Sequence, residues 1–136
     1  GKPSSAPEEL NPEVTRVFSL ISEEYTAGEI ALYLLLSDSG DLVKTHELKG
    51  KTFLRIDTPG FDRLDMGEEV MDELSRGSTL VMDRGREIII PLPHGGWLPA
   101  ALRLKRESSF SGREIRDITR HAGELAGPVR RTLRID

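Results

Sequence analysis

The chain has no cysteine, few aromatic residues and no long apolar run. It holds 136 residues, of which one is Trp, two are Tyr and four are Phe. The absence of cysteine excludes a disulfide framework, a thiolate zinc site and a cysteine nucleophile. It fits a reducing compartment, and a cytoplasmic location is expected. The longest apolar run, Ile30–Leu36, has the length of a strand and falls far short of the ~20 residues needed to span a bilayer. No signal-peptide pattern opens the chain. It begins with Gly rather than Met, and is read as a module taken from a longer protein.

Length and composition point to one domain with one sizeable core. Net charge is −4, but unevenly spread. Residues 1–100 carry 10 Lys/Arg against 18 Asp/Glu, and residues 101–136 carry 9 against 5. The basic end is read as a solvated helix face with cations near a helix C-terminus. No nucleic-acid or membrane partner is expected.

Residues 1–10 are Pro- and Ser-rich and are expected to form a flexible lead-in, with the domain proper at 11–136. Asn11-Pro12 reads as a cap and first helical position. Val14, Val17, Phe18, Ile21 and Tyr25 then recur at helical spacing, and Gly28 is expected as the left-handed stop. Ile30–Leu36 reads as a central strand, Asp38–Asp41 as a turn and Leu42–Leu48 as the returning strand. Thr52–Ile56 is a candidate short strand, and Gly67–Arg76 a short helix with Val70, Met71 and Leu74 inward. Thr79–Met82, Glu87–Leu92 and Trp97–Leu104 read as three strands joined by tight turns. Pro91 and Pro99 predict an edge or a bulge, since proline cannot donate to a ladder. Ser111 and Glu114 form a capping-box pattern, with Phe110 placed to staple onto Ile115. Gly127-Pro128 is expected to kink or break the last helix. The predicted class is α+β: a single antiparallel sheet of about five strands, with the N- and C-terminal helices on one face and residues 50–76 covering the other.

Few residues carry an obvious chemistry. His46, His94 and His121 lack metal-binding spacing. Asp62, Asp65, Glu68, Glu69, Asp72 and Glu73 lack the calcium-loop pattern and read as a solvated face. No serine sits in a nucleophile elbow, and no phosphate-cradling loop is present. No catalytic residue, metal or cofactor is expected, and the chain is not expected to be an enzyme.

Over roughly residues 11–133, sharply after Thr79 and best at Ile88–Leu104, the chain resembles a GAF domain, a small sensory module of signalling proteins. The residues are Ile88–Leu92 ending in Pro91-Leu92, the turn His94-Gly95-Gly96, the strand Leu98–Leu104, and Phe110-Ser111 before a helix over Glu114–Leu133. The resemblance implies a GAF- or PAS-like fold and a regulatory input role. Cysteine-linked bilin binding and thiol-based methionine sulfoxide reduction are ruled out, and the signature of cyclic-nucleotide-binding members is not recognisable. What remains is a sensor of an unidentified, non-covalently bound small molecule, coupled through its terminal helices to an attached output domain. The alternative is a protein-interaction or dimerisation module without a ligand. A homodimer through the terminal helices is an expected partner arrangement. A pocket is expected between the sheet and residues 50–76, lined by Phe53, Arg55, Thr58, Phe61 and Met71 from the cover. Thr45, Ile90, Leu92 and Trp97 are its expected strand residues.

Overall fold

The computed structural model describes residues 7–36 and 40–135. Residues 1–6 of the expected lead-in and residues 38–39 of the expected turn lie outside them. Helix α1 spans Asn11–Tyr25, followed by strands β1 (Glu29–Leu35), β2 (Leu42–Lys49), β3 (Thr52–Arg55) and β4 (Arg63–Leu64). Helix α2 (Glu68–Ser75) precedes β5 (Leu80–Met82), β6 (Glu87–His94) and β7 (Trp97–Lys105). Helices α3 (Gly112–Ala122) and α4 (Ala126–Leu133) close the chain.

One antiparallel sheet runs β3-β2-β1-β7-β6-β5, with β4 also paired to β2, giving seven strands among the described residues. The predicted class holds, and the count exceeds about five because residues 50–64 add two short strands at the β2 edge. The join between the early hairpin and the late meander is β1 on β7, from Glu29 opposite Lys105 to Leu34 opposite Ala100. Alternation along these strands sorts side chains between faces. Ile30, Leu32, Leu34, Ile88, Ile90, Leu92, Leu102 and Leu104 meet the apolar stripes of α1, α3 and α4. Tyr33, Ile89, Leu98 and Ala101 face the other way, against Leu64 and the inner face of α2.

Several local expectations shift. Pro7–Leu10 belong to the packed domain: Glu8–Leu10 form a 3-10 turn and Leu10 sits in the core at 1% exposure. This turn moves the cap of α1 to Leu10, so the Asn11 side chain is left to bond elsewhere. The helix stops on Thr26 in the left-handed region (φ 53°), not on Gly28. The last helix breaks earlier than Gly127-Pro128. Pro128 cannot donate to the carbonyl four residues back, so the chain resets through a 3-10 turn at Gly123–Leu125. Pro128 then falls in the first turn of α4, where its missing N–H costs nothing. Pro99 lies just beyond the last β1 partner, Ala100, where the β6–β7 register shifts, as a strand proline requires.

Arg106 ties the helical layer to the sheet. Its guanidinium donates to the carbonyls of Tyr25 (2.6 Å), Ser108 (3.0 Å) and Ser109 (2.6 Å) and to both Glu114 carboxylate oxygens (2.7 and 3.0 Å). It also lies 4.2 Å from the Phe110 ring centre. Glu114 in turn accepts from the Ser111 N–H (2.9 Å) and completes the expected capping box. Arg106 first and the Ser111 N–H second hold the Glu114 carboxyl down at about 2. The end of α1 and the start of α3 thus share one 7%-exposed cation. Arg106→Leu strands these acceptors and is expected to cost roughly 3 kcal/mol, against about 1 kcal/mol for Ser111→Ala. Urea denaturation midpoints check the order; equal costs would contradict it.

Candidate functional site

The residues expected to line one pocket lie in several places. Ile90 and Leu92 point into the helix-side core. Phe53 also packs there, with its ring edge-on to Phe18 at 6.3 Å. Met71 alone joins the apolar cluster under α2. Arg55 is at the end of β3, where it pairs with Glu8 (3.2 Å) and Asp57 (3.1 Å). Thr58 is exposed and Phe61 is 96% exposed in the loop between β3 and β4. Trp97 starts β7, its ring 6.4 Å from that of His94. The reason is parity: β6 is apolar on both faces, and its register sends Ile90 and Leu92 towards the helices. The cover meanwhile brings α2, Leu64 and Met66 onto the opposite face.

Thr45 is fully buried at a register shift between β2 and β1. Its hydroxyl lies 3.4 Å from the Leu32 carbonyl oxygen and 2.8 Å from His46 Nδ1. His46 Nε2 lies 3.0 Å from Asn11 Oδ1, joining β2 to the start of α1. A neutral ring satisfies both contacts: Nε2–H donates to Asn11, and Nδ1 accepts from Thr45. Burial lowers the His46 pKa to about 4, helped by the Arg55 charge and opposed by the Pro7 carbonyl.

The irregularity at Thr45 also turns Lys44 and Glu47 onto the lid side. There they meet groups that the sequence reading passed over. A cavity of about 130 Å³ is walled by Tyr33, Lys44, Glu47, Asp62 and Arg103, with Ala31 among its lining. Ala31 stands in register between Glu47 on β2 and Arg103 on β7, so its methyl leaves the space open. Lys44 Nζ is 2.8 Å from Glu47 and 2.9 Å from Asp62, and the Tyr33 hydroxyl donates to Asp62 at 3.1 Å. Arg103 donates through Nε to Glu87.

Burial opposes charge at each of these ions, and pairing outweighs it. Glu47 and Asp62 raise the Lys44 pKa, Lys44 and Tyr33 lower that of Asp62, and Glu87 raises that of Arg103. Burial, then the Asp62 charge, raises that of Tyr33. Pairing thus favours the charged forms of Lys44, Asp62 and Arg103. Such a setting can orient a small molecule bearing a charge of either sign. Glu29 and Lys105 are also walls of a wider open trough of about 760 Å³, which runs past Thr26, Asp83, Arg86 and Ser108 at the end of the sheet. Among the described residues no group of three or more His, Asp or Glu can hold a metal ion, and no helix is long and apolar enough to cross a membrane.

No family model and no curated protein matches the sequence. Solved structures do match in shape. One is the GAF domain/HD domain protein of Geobacter sulfurreducens, with TM-score 0.67, 13% identity, and 90% of this chain and 93% of that chain covered. Another is the GAF domain of a two-component sensor histidine kinase of Bacillus halodurans, with TM-score 0.66, 12% identity and 90% and 94% covered. A far-red cyanobacteriochrome photoreceptor aligns with TM-score 0.69, 14% identity and 90% and 87% covered. The chain therefore has the GAF fold.

His46 makes stability depend on pH in a definite direction. An unfolded-state value of 6.5 exceeds the folded value of about 4. The stabilisation is complete above pH 6.5 and declines as pH falls towards 4, by up to roughly 3 kcal/mol. Urea midpoints measured from pH 7 to pH 4 are expected to drop in the wild type and to drop less in His46→Gln. Parallel profiles would show that His46 is not the group responsible.

Proposed function

We propose that the chain is a regulatory input domain of a larger signalling protein. It binds a small polar molecule non-covalently in the lid-side cavity and passes the resulting bias through its terminal helices to an attached output domain. The role is non-catalytic, and its setting is cytoplasmic. The observation that carries this reading is the cavity beside the half-covered sheet face. Five ordered polar groups converge on a space of about 130 Å³, which suits a molecule of the size and charge of a small amino acid. The GAF fold supports the regulatory role, since the structures it resembles include a domain of a sensor kinase and a photoreceptor. A ligand that contacts β1, β2 and β7 touches strands whose opposite faces carry the helices, so a preference for one sheet geometry reaches the helical layer.

The second reading is an interaction or dimerisation module without a ligand. It is favoured by one feature of the same cavity: Lys44 and Arg103 already face carboxylates of the chain itself.

Calorimetric titration with glycine, L-alanine and acetate separates the two. Binding is expected for at least one probe in the wild type. It should weaken at least tenfold in Ala31→Val, which fills the space while keeping stability within about 0.5 kcal/mol. Absence of binding by every probe, together with a concentration-dependent dimer in sedimentation, would favour the second reading.

A further inference from the structure

All three methionines of the chain converge on one place. Met66 comes from the segment before α2, Met71 from α2 itself and Met82 from β5, and all pack against the lid-side cluster of Tyr33, Leu74, Ile89 and Ala101. The helix-side core holds none. Each of the three residues is partly exposed at the border of this cluster. With no cysteine in the sequence, these thioethers are the only sulfur atoms present.

The helix that carries Met71 is short. Helix α2 has eight residues and no side-chain cap, and begins from Gly67 at φ 88°. Only Leu74 of α2 is fully enclosed. Its outer residues Glu68, Glu69, Asp72 and Glu73 are exposed and of one sign, and their mutual repulsion weakens the helix. Its apolar attachment rests on Val70, Met71 and Leu74, and Met66 and Met82 pack against the same cluster.

We propose that the methionine triad is an oxidation site for hydrogen peroxide and that its conversion unseats α2 from the sheet. The thioether sulfur attacks one peroxide oxygen. An S–O bond forms and the O–O bond breaks; sulfur loses two electrons, and the displaced oxygen leaves as water after taking up the proton. The sulfoxide is strongly polar, and holding it against apolar neighbours costs free energy that turning towards water avoids. The modified side chains turn outward and α2 loses its seat, while the helix-side core keeps its packing. The proposal stands independently of any ligand in the polar cavity.

Peroxide treatment of the wild type, followed by peptide mass mapping and amide hydrogen exchange, tests it. One oxygen atom is expected at each of the three methionines. Exchange of α2 amides is expected to rise by about tenfold or more, with α1 amides unchanged. Methionine sulfoxide reductases of both stereospecificities, supplied with a dithiol, should restore the original exchange. A Met66→Leu, Met71→Leu, Met82→Leu variant should keep α2 protected through the same treatment. Should the triple variant fail to fold, the reductase reversal on wild-type protein decides the matter. Full oxidation with unchanged α2 exchange would overturn the proposal. So would methionines that resist peroxide at a dose that converts N-acetylmethionine amide.

Discussion

The antiparallel pairing of β1 with β7 is the constraint on which the rest depends. It joins two pieces of chain that each form locally, the hairpin of β1 and β2 and the meander of β5 to β7. Its register also fixes which side chains face the helices. With Ile30 opposite Leu104 and Leu32 opposite Leu102, two apolar rows meet α1, α3 and α4. With Ala31 opposite Arg103, the intervening row brings a small residue and a cation onto the lid side. A slip of one residue would exchange the two rows. The dry core and the polar cavity are two results of one register.

The faces are closed by different means. The helix side is covered by long amphipathic elements, and Arg106 locks the end of α1 to the start of α3. The lid side is covered by α2 over β6 and β7 and by Leu64 and Met66 against the same cluster. Beyond their reach the sheet carries Glu29, Lys44, Glu47, Arg103 and Lys105, because an uncovered face must remain solvated. The cavity forms at this boundary, where charges are partly withdrawn from water but still paired. The GAF fold thus appears here with three helices on one face of the sheet and one short helix on the other.

Much of the fold was legible in the sequence because several local signals agreed. The stripe from Val14 to Ile21, the Ser111–Glu114 capping box, and the apolar runs at Ile30 and Ile88 each named an element that exists. The helices on one face followed from the lack of any other apolar surface. The candidate pocket was far less legible. Ile88–Ile90 are apolar on both faces, so nothing in the run told which residues would turn towards the lid. The irregularity at Thr45 changes the parity of β2 midway, which placed Lys44 and Glu47 on one side and His46 on the other. Asp62 looked like part of an acidic loop, and its contacts with Tyr33 and Lys44 depend on how β4 returns to β2. Arg103 and Lys105, alternating with Leu102 and Leu104, were the one visible sign that β7 turns a charged row to one side.

The register of β1 on β7 can be measured directly, because the chain contains no cysteine to confuse a cross-link. Directly opposed residues on adjacent strands bring their Cβ atoms within disulfide range, and residues offset by one position point to opposite faces. Under mild oxidation an Ala31→Cys, Arg103→Cys pair should close an intramolecular disulfide, and an Ala31→Cys, Leu104→Cys pair should not. Closure of the second pair in preference to the first would place Arg103 on the helix side and contradict the two-faced sheet.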